Sequence, residues 1–210
     1  MSALQASVSR PPRDERREAI LRIAYQAFLT DGYAATSMSE IARKVGGSKA
    51  TLYNYFCSKE ELFTAVVDEK CQDIQDMVFD VELAADDFPR TLAKLCERFL
   101  RVVLREDSIA TFRLITAEAA RFPELGRAFY ASGPRRSKEV LADFFRRAIA
   151  DGHLGAHDPR MMASRLFELC KGELHQRKLW NATPEPSEAE IHANVAEAVR
   201  VFLAAYGRAK

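Results

Sequence analysis

Apolar residues recur along this chain at intervals of three and four, the spacing that lines one side of an α-helix, and nowhere do they alternate with polar ones as in a half-buried strand. Ile20, Ala24, Ala27 and Phe28 form the first stripe, with Arg13, Arg16, Arg17 and Arg22 largely outside it. Gly32, directly after Asp31, predicts a left-handed stop. Thr36-Ser37-Met38-Ser39-Glu40 opens a second, short helix with Ser37 as N-cap and Glu40 as its reciprocal partner, and Ile41, Ala42 and Val45 give its buried side. Gly46-Gly47 ends that helix after barely three turns, and Ser48 then caps a third segment, Lys49 to Phe56. Ser58-Lys59-Glu60-Glu61 is another capping box, starting a long amphipathic helix through Leu62, Val66, Ile74 and Val78.

Beyond Asp86-Asp87 the helical spacing continues. Leu92, Leu95, Phe99 and Val102 fall on one helix and Phe112, Ile115 and Ala119 on the next, with Pro123 and Pro134 as punctuation. Further stripes run through Val140, Leu141, Phe144 and Phe145, then Met162, Leu166, Leu169 and Cys170, then Ile191, Val195, Val199 and Phe202. Loops are expected over 152–159 and 181–187, with Ser187 and Glu190 capping the last helix. The reading is an all-α chain of about nine helices: a flexible leader over 1–12, a three-helix head over 13–58 and a helical bundle over 59–210.

Composition narrows this further. With 48% apolar and 29% charged residues the chain has the balance of a folded globular protein. The first 12 residues lack the apolar core of a signal peptide, and no later stretch is long and apolar enough for a membrane span, so no membrane is expected and the location is read as cytoplasmic. Cys57, Cys71, Cys96 and Cys170 are scattered without a paired spacing and read as buried thiols; Cys57 beside the third segment would be a redox sensor only with a lowered pKa. His153 and His157 are four apart but flanked by Gly152 and Gly155, a loop setting with no third ligand, so no metal is expected. His175 falls among Lys171, Glu173, Gln176 and Arg177, which suits a solvated helix face, a polar pocket wall or a dimer rim. No nucleophile and base pair, phosphate loop or cofactor motif is present, which argues against an enzyme. Charge is uneven: residues 1–56 hold 8 Lys and Arg against 5 Asp and Glu, a net +3, and the remainder holds 23 against 25, a net −2. The positive end is the one suited to a polyanion.

Two short helices meeting at a glycine corner have the geometry of a helix-turn-helix, whose second helix enters the major groove. In the third segment Leu52 and Phe56 anchor to a core, leaving Lys49, Ala50, Thr51, Tyr53, Asn54 and Tyr55 for other faces. Lys49 and Lys59 offer ammonium charge to phosphates, the tyrosine hydroxyls donate to phosphate oxygens, Thr51 and Asn54 suit base edges, and small Ala50 permits close approach. Partly buried tyrosines and a solvated polar face would give the same spacing without DNA.

The stretch from Ile20 to Phe63, with AYQAFLTDGYAATSMSEIARKVGGSKATLYNYFCSKEELF from Ala24, resembles the DNA-binding head of the TetR family, matching at Thr36, Ile41-Ala42, Gly46, Thr51-Leu52-Tyr53, Phe56 and Ser58-Lys59-Glu60. The resemblance implies that Thr36 begins the second helix at a phosphate, that SKATLYNYF is the recognition helix, and that Ser48, Lys49, Thr51, Tyr53, Asn54, Tyr55 and Lys59 share the DNA contact. Gly47, where a valine is more usual, departs from the pattern. Arg13 and Arg17 are further candidates for a basic arm.

The segment RLITAEAARFPELGRAFYASGP from Arg113 is similar to the C-terminal domain of AefR-like TetR regulators. The wider family implies a homodimer through the last two helices and a pocket for a small-molecule effector among the middle ones. Phe99, Phe112, Ile115, Phe122, Phe144 and Phe167 are the candidate lining, and core packing is the alternative use of the same side chains. The expected function is a ligand-responsive repressor that binds a palindromic operator in double-stranded DNA and is released by an apolar or aromatic effector. The rival is a helical protein-protein adaptor, which leaves the head's tyrosines and lysines without a role.

Overall fold

The computed structural model describes residues 12–79, 87–182 and 185–208, with side-chain positions from residue 15 onward. Ten α-helices follow one another: α1 (Pro12–Ala35), α2 (Met38–Lys44), α3 (Lys49–Tyr53), α4 (Lys59–Phe79), α5 (Phe88–Val103), α6 (Glu106–Glu118), α7 (Pro123–Tyr130), α8 (Arg136–Ala150), α9 (Pro159–Leu179) and α10 (Glu188–Tyr206). A π turn, Ala131–Arg135, joins α7 to α8 without interruption, so the described residues form nine helical runs. Among them there is no strand, only an isolated bridge between Leu154 and Gly207. The fold is all-α, and no described helix is long and apolar enough to cross a membrane. The expected leader, Pro12 apart, lies outside the described residues.

Two compact units part between Val66 and Val67, inside α4. The head retains the first two turns of α4 because Leu62, Phe63 and Val66 are buried, and Phe63 closes an aromatic trio with Phe28 and Tyr33. Ring centroids in that trio lie 5.2 to 5.6 Å apart, two of the three contacts edge-on. Each such pair adds about 0.5–1.5 kcal/mol to simple burial. Ile20, Leu21, Ala24 and Ile41 fill the rest of this core.

The body buries a second cluster in which α5, α8, α9 and α10 pack together, with Leu92, Leu100, Leu141, Phe145, Leu166 and Phe202 at its centre. Three of these helices, α5, α9 and α10, start at well-made caps. Asp87 accepts from Arg90 N, Asp158 from Arg160 N, and Ser187 with Glu190 completes a reciprocal capping box.

Two irregularities run against the sequence pattern. Pro134, expected to break the chain, lies inside a continuing helix, because the π turn widens the backbone where the proline ring would meet the preceding turn. The Ser132 carbonyl there accepts from the buried Gln75 amide of α4 at 2.8 Å, and the Ser132 hydroxyl donates to Asp68. Gly133 is tightly placed, since a Cβ on it would sit 3.0 Å from the Cys71 sulfur. The second irregularity is Gly172, where α9 breaks at φ 47° and ψ −151°. The Asn194 amide of α10 donates to the Cys170 carbonyl at 2.6 Å, replacing a bond the broken turn loses.

Candidate nucleic-acid interface

Local rules build the corner. Ser37 accepts from Glu40 N at 3.2 Å and starts α2, while Glu40 turns to Lys44. At the other end Gly46 N bonds Arg43 O and Gly47 N bonds Ala42 O, the paired pattern of a left-handed helix stop. Gly46 carries the positive φ of 70° that this motif needs. Gly47 has no such requirement. Its missing side chain instead leaves space for Arg16, whose guanidinium donates to Gly46 O and would lie 3.0 Å from a Cβ at residue 47. Ser48 then caps α3, accepting from Thr51 N at 3.0 Å and sharing a hydroxyl bond with Thr51 at 2.8 Å.

α3 is only five residues long, so Leu52, Phe56 and the corner must hold it. Leu52 and Phe56 are both 2% exposed. On the opposite side Ser48, Lys49, Ala50, Tyr53 and Asn54 are exposed, while Thr51 and Tyr55 are half-buried. The Lys49 ammonium lies 5.7 Å from the Tyr53 ring centre. This side borders an open depression of about 520 Å³, whose rim includes Ser37, Ser39, Lys49, Tyr53, Cys57 and Lys59.

Thr36 and Lys59 point elsewhere. Thr36 is 1% exposed, and its hydroxyl donates to Gly32 O at 2.7 Å. The Lys59 ammonium donates to Tyr33 O at 2.8 Å and Thr36 O at 3.0 Å, and stands 4.3 Å from the Tyr33 ring centre. Both side chains are occupied in closing the end of α1, which explains a helix that runs on to Ala35 after a backbone break at Gly32. Arg17 lies over the Phe56 ring, and the side chain of Arg13 is outside the described residues. Cys57 is exposed rather than buried, because it sits in the turn between α3 and α4; the other three cysteines are buried. Burial and the nearby Asp68 carboxylate push the Cys71 thiol up to about 12.

In the body the six candidate lining residues separate. Phe144 and Phe167 are buried in the core cluster, and Phe99 packs on Phe167 with ring centres 4.3 Å apart. Phe112 is half-buried, edge-on to Phe129 and to His175. Ile115 is buried on α6, and Phe122 precedes α7 under the Arg121 guanidinium. His153 stacks on Phe88 and His157 stands edge-on to Tyr206, so each imidazole is engaged by an aromatic neighbour. His175 is buried and not solvated. Spacing puts it on a charged turn, but α6 lies against it through the Phe112 ring, and Arg113 of α6 donates to Leu179 O at 2.9 Å, Lys178 O at 2.7 Å and Asn181 Oδ1 at 2.7 Å, capping the end of α9.

A capped short helix held by two apolar residues, with its polar side turned outward across a glycine corner, defines a helix-turn-helix DNA-binding protein. Residues 20–66 match the family described as bacterial regulatory proteins of the tetR family, and residues 90–208 match the C-terminal domain of the AefR-like transcriptional repressors. The HTH-type transcriptional activator FasR of Mycolicibacterium smegmatis is 36% identical over 161 residues, covering 77% of this chain and 71% of FasR. A solved structure from Mesorhizobium loti MAFF303099, assigned to the TetR-family transcriptional regulators, superposes with a TM-score of 0.84 at 32% identity, over 94% of this chain and 100% of that one. The flavonoid-responsive regulator FrrA superposes with a TM-score of 0.83 at 33% identity, over 92% of this chain and 98% of FrrA. The chain belongs to the TetR family: it is a DNA-binding transcriptional regulator and not an enzyme, in a family whose members bind operator DNA and dimerise.

Proposed function

We propose that the protein is a homodimeric repressor that reads a palindromic operator and is released by a small aromatic effector. The observation that carries this reading is the set on and around α3, exposed at Ser48, Lys49, Ala50, Tyr53 and Asn54 and half-buried at Thr51 and Tyr55, against the buried pair Leu52 and Phe56. Lys49, Tyr53 and Tyr55 take phosphate oxygens and fix register; Thr51 and Asn54 face base edges, and Ala50 lets the backbone approach. Thr36 and Lys59 serve the interface by holding the start of α2 in position, their side chains being engaged with backbone carbonyls.

One recognition helix this short reads too few bases for useful affinity, so a second copy must supply another about 34 Å away along the duplex. α10 suits the subunit seam. Ala189, Ala193, Ala196 and Ala204 are exposed at helical spacing along it, and small side chains permit close helix contact. Met161 and Trp180 are exposed toward the two ends of α9.

The effector class follows from the half-buried aromatic residues of the body and from FrrA, whose name makes it flavonoid-responsive. A planar hydroxylated aromatic molecule of that kind is the proposed ligand. The sign of regulation is proposed as repression from the AefR-like match over the body; FasR, an activator by name, supports the opposite sign. Selecting bound fragments from genomic DNA, then adding flavone, monohydroxylated flavones and their methyl ethers, tests the whole reading. Recovery of a palindrome released by one of these compounds supports it, and absence of any salt-sensitive duplex binding overturns it. A reporter placed behind the selected operator gives the sign.

A further inference from the structure

His175 lies on α9, three residues past the break at Gly172, and is 7% exposed. Its Nε2 is shut off from solvent and has no hydrogen-bond partner among the described residues. A polar atom in that position is uncommon in folded interiors, because it has given up water for nothing. One ring stands against it and a second behind that one. Phe112 of α6 stands edge-on at 5.0 Å and 77°, and Phe129 of α7 stands edge-on to Phe112 at 5.2 Å and 81°. Phe112 and Phe129 are only half-buried, so the ring pair above the imidazole reaches the protein surface. Burial, helped by the Lys171 ammonium, holds the imidazole below its ordinary range, with Glu168 opposing.

We propose that His175 Nε2 is the polar anchor of an effector site between α6, α7 and α9, and that it recognises a hydroxyl group on an aromatic ligand. In the proposed site the neutral imidazole carries its proton on Nδ1, so Nε2 is an acceptor: a hydroxyl donates to it, whereas a methyl ether, which can only accept, does not. Phe112 and Phe129 supply faces and edges for the ligand's rings. Arg113, next to Phe112, fastens α6 to the end of α9, so a molecule seated here bears on both helices at once. This inference rests on the aromatic-effector reading above and adds to it the residue that selects the ligand.

Calorimetric titration of the full-length protein with monohydroxylated flavones and their methyl ethers tests it. At least one hydroxylated compound is expected to bind about tenfold more tightly than its ether, the size of one buried hydrogen bond. His175→Phe is expected to erase that preference while leaving the ether's affinity unchanged, and His175→Gln to restore part of it. With ¹⁵N-labelled histidine, the Nε2 resonance of His175 should move on adding the hydroxylated compound and stay in place with the ether. The wild-type titrations and this resonance decide the matter even where a variant fails to fold. Equal affinity for alcohol and ether in the wild type, or a preference that survives in His175→Phe, overturns the anchor and leaves the effector reading standing. A wild-type protein that binds none of the compounds overturns the effector reading, and the anchor with it.

Discussion

The head and the body are both helical, yet they place their polar groups in opposite ways. In the head the core is apolar and aromatic apart from Thr36, and the polar side chains proposed for DNA lie exposed or half-buried on and beside a helix of five residues. In the body a histidine with an unpartnered nitrogen is carried into the interior, one helix breaks at Gly172, and a π turn holds Pro134 inside a continuing helical run. A surface that meets a rigid polyanion needs fixed, exposed groups. The interior proposed to meet a small molecule needs polar atoms kept from water and a backbone able to shift.

The strongest way to break this comparison is to empty each core separately. Phe28 and Phe202 are both fully buried, one in each unit, and Phe28→Ala and Phe202→Ala should each cost about 3–5 kcal/mol. Phe28→Ala is expected to abolish DNA binding while sedimentation still reports a dimer, and Phe202→Ala to lower the melting of the body. If both substitutions removed both properties together, the two units would not be energetically separate.

Glycine replacements give the next largest effects. Gly172→Ala places a Cβ 2.5 Å from Asn194 Oδ1 on a backbone that side chains rarely adopt, and should cost about 2–3 kcal/mol in urea unfolding. Gly46→Ala meets nothing within 4 Å, so only its φ is penalised, at about 1 kcal/mol. An equal loss at the two sites would mean that Asn194 yields freely. Lys49→Ala should leave the melting temperature unchanged and reduce the salt dependence of duplex binding by about one counterion per head. A slope unaltered within error would remove Lys49 from the phosphate contacts.

The smallest expected effect is with acid. The Glu190 carboxylate, accepting from Ser187 N and its hydroxyl and then from Arg177, is held down to about 2 from its ordinary 4.5. A depressed carboxylate stabilises the fold fully above its unfolded value and loses that contribution as pH falls through the folded one. Acid unfolding of Glu190→Gln should therefore lack a small sloping component between pH 4.5 and about 2. The same slope in the variant and the wild type would assign it to other carboxylates.

Much of the head was legible in the sequence because its determinants are local. Ser37, Ser48 and Ser58 each accept the backbone bond that their spacing predicts, and Gly46 stops α2 in the expected way. Thr36 and Lys59 were harder to place, since hydroxyl and ammonium groups serve a phosphate or a helix end equally well and only the fold decides. In the body the order of helices and most of the core followed from periodicity, while the irregular points did not. Gly172 is shaped by Asn194, 22 positions on, and His175 is covered by a helix some 60 positions earlier, so neither leaves a mark in the neighbouring pattern. The proposed lining divided for a similar reason: aromatic identity does not tell which of several helices a ring will meet.

The widened turn at Ala131–Arg135 amounts to one surplus residue in an otherwise continuous rod, and α-helical side chains advance by about 100° per residue. Removing that residue would regularise the hydrogen bonds yet swing every side chain from Arg136 to Ala150 around the axis, carrying Leu141 and Phe145 off the core. Deleting one residue from this bulge should therefore unseat α8 from the body core and free the Gln75 amide from the Ser132 carbonyl it now holds.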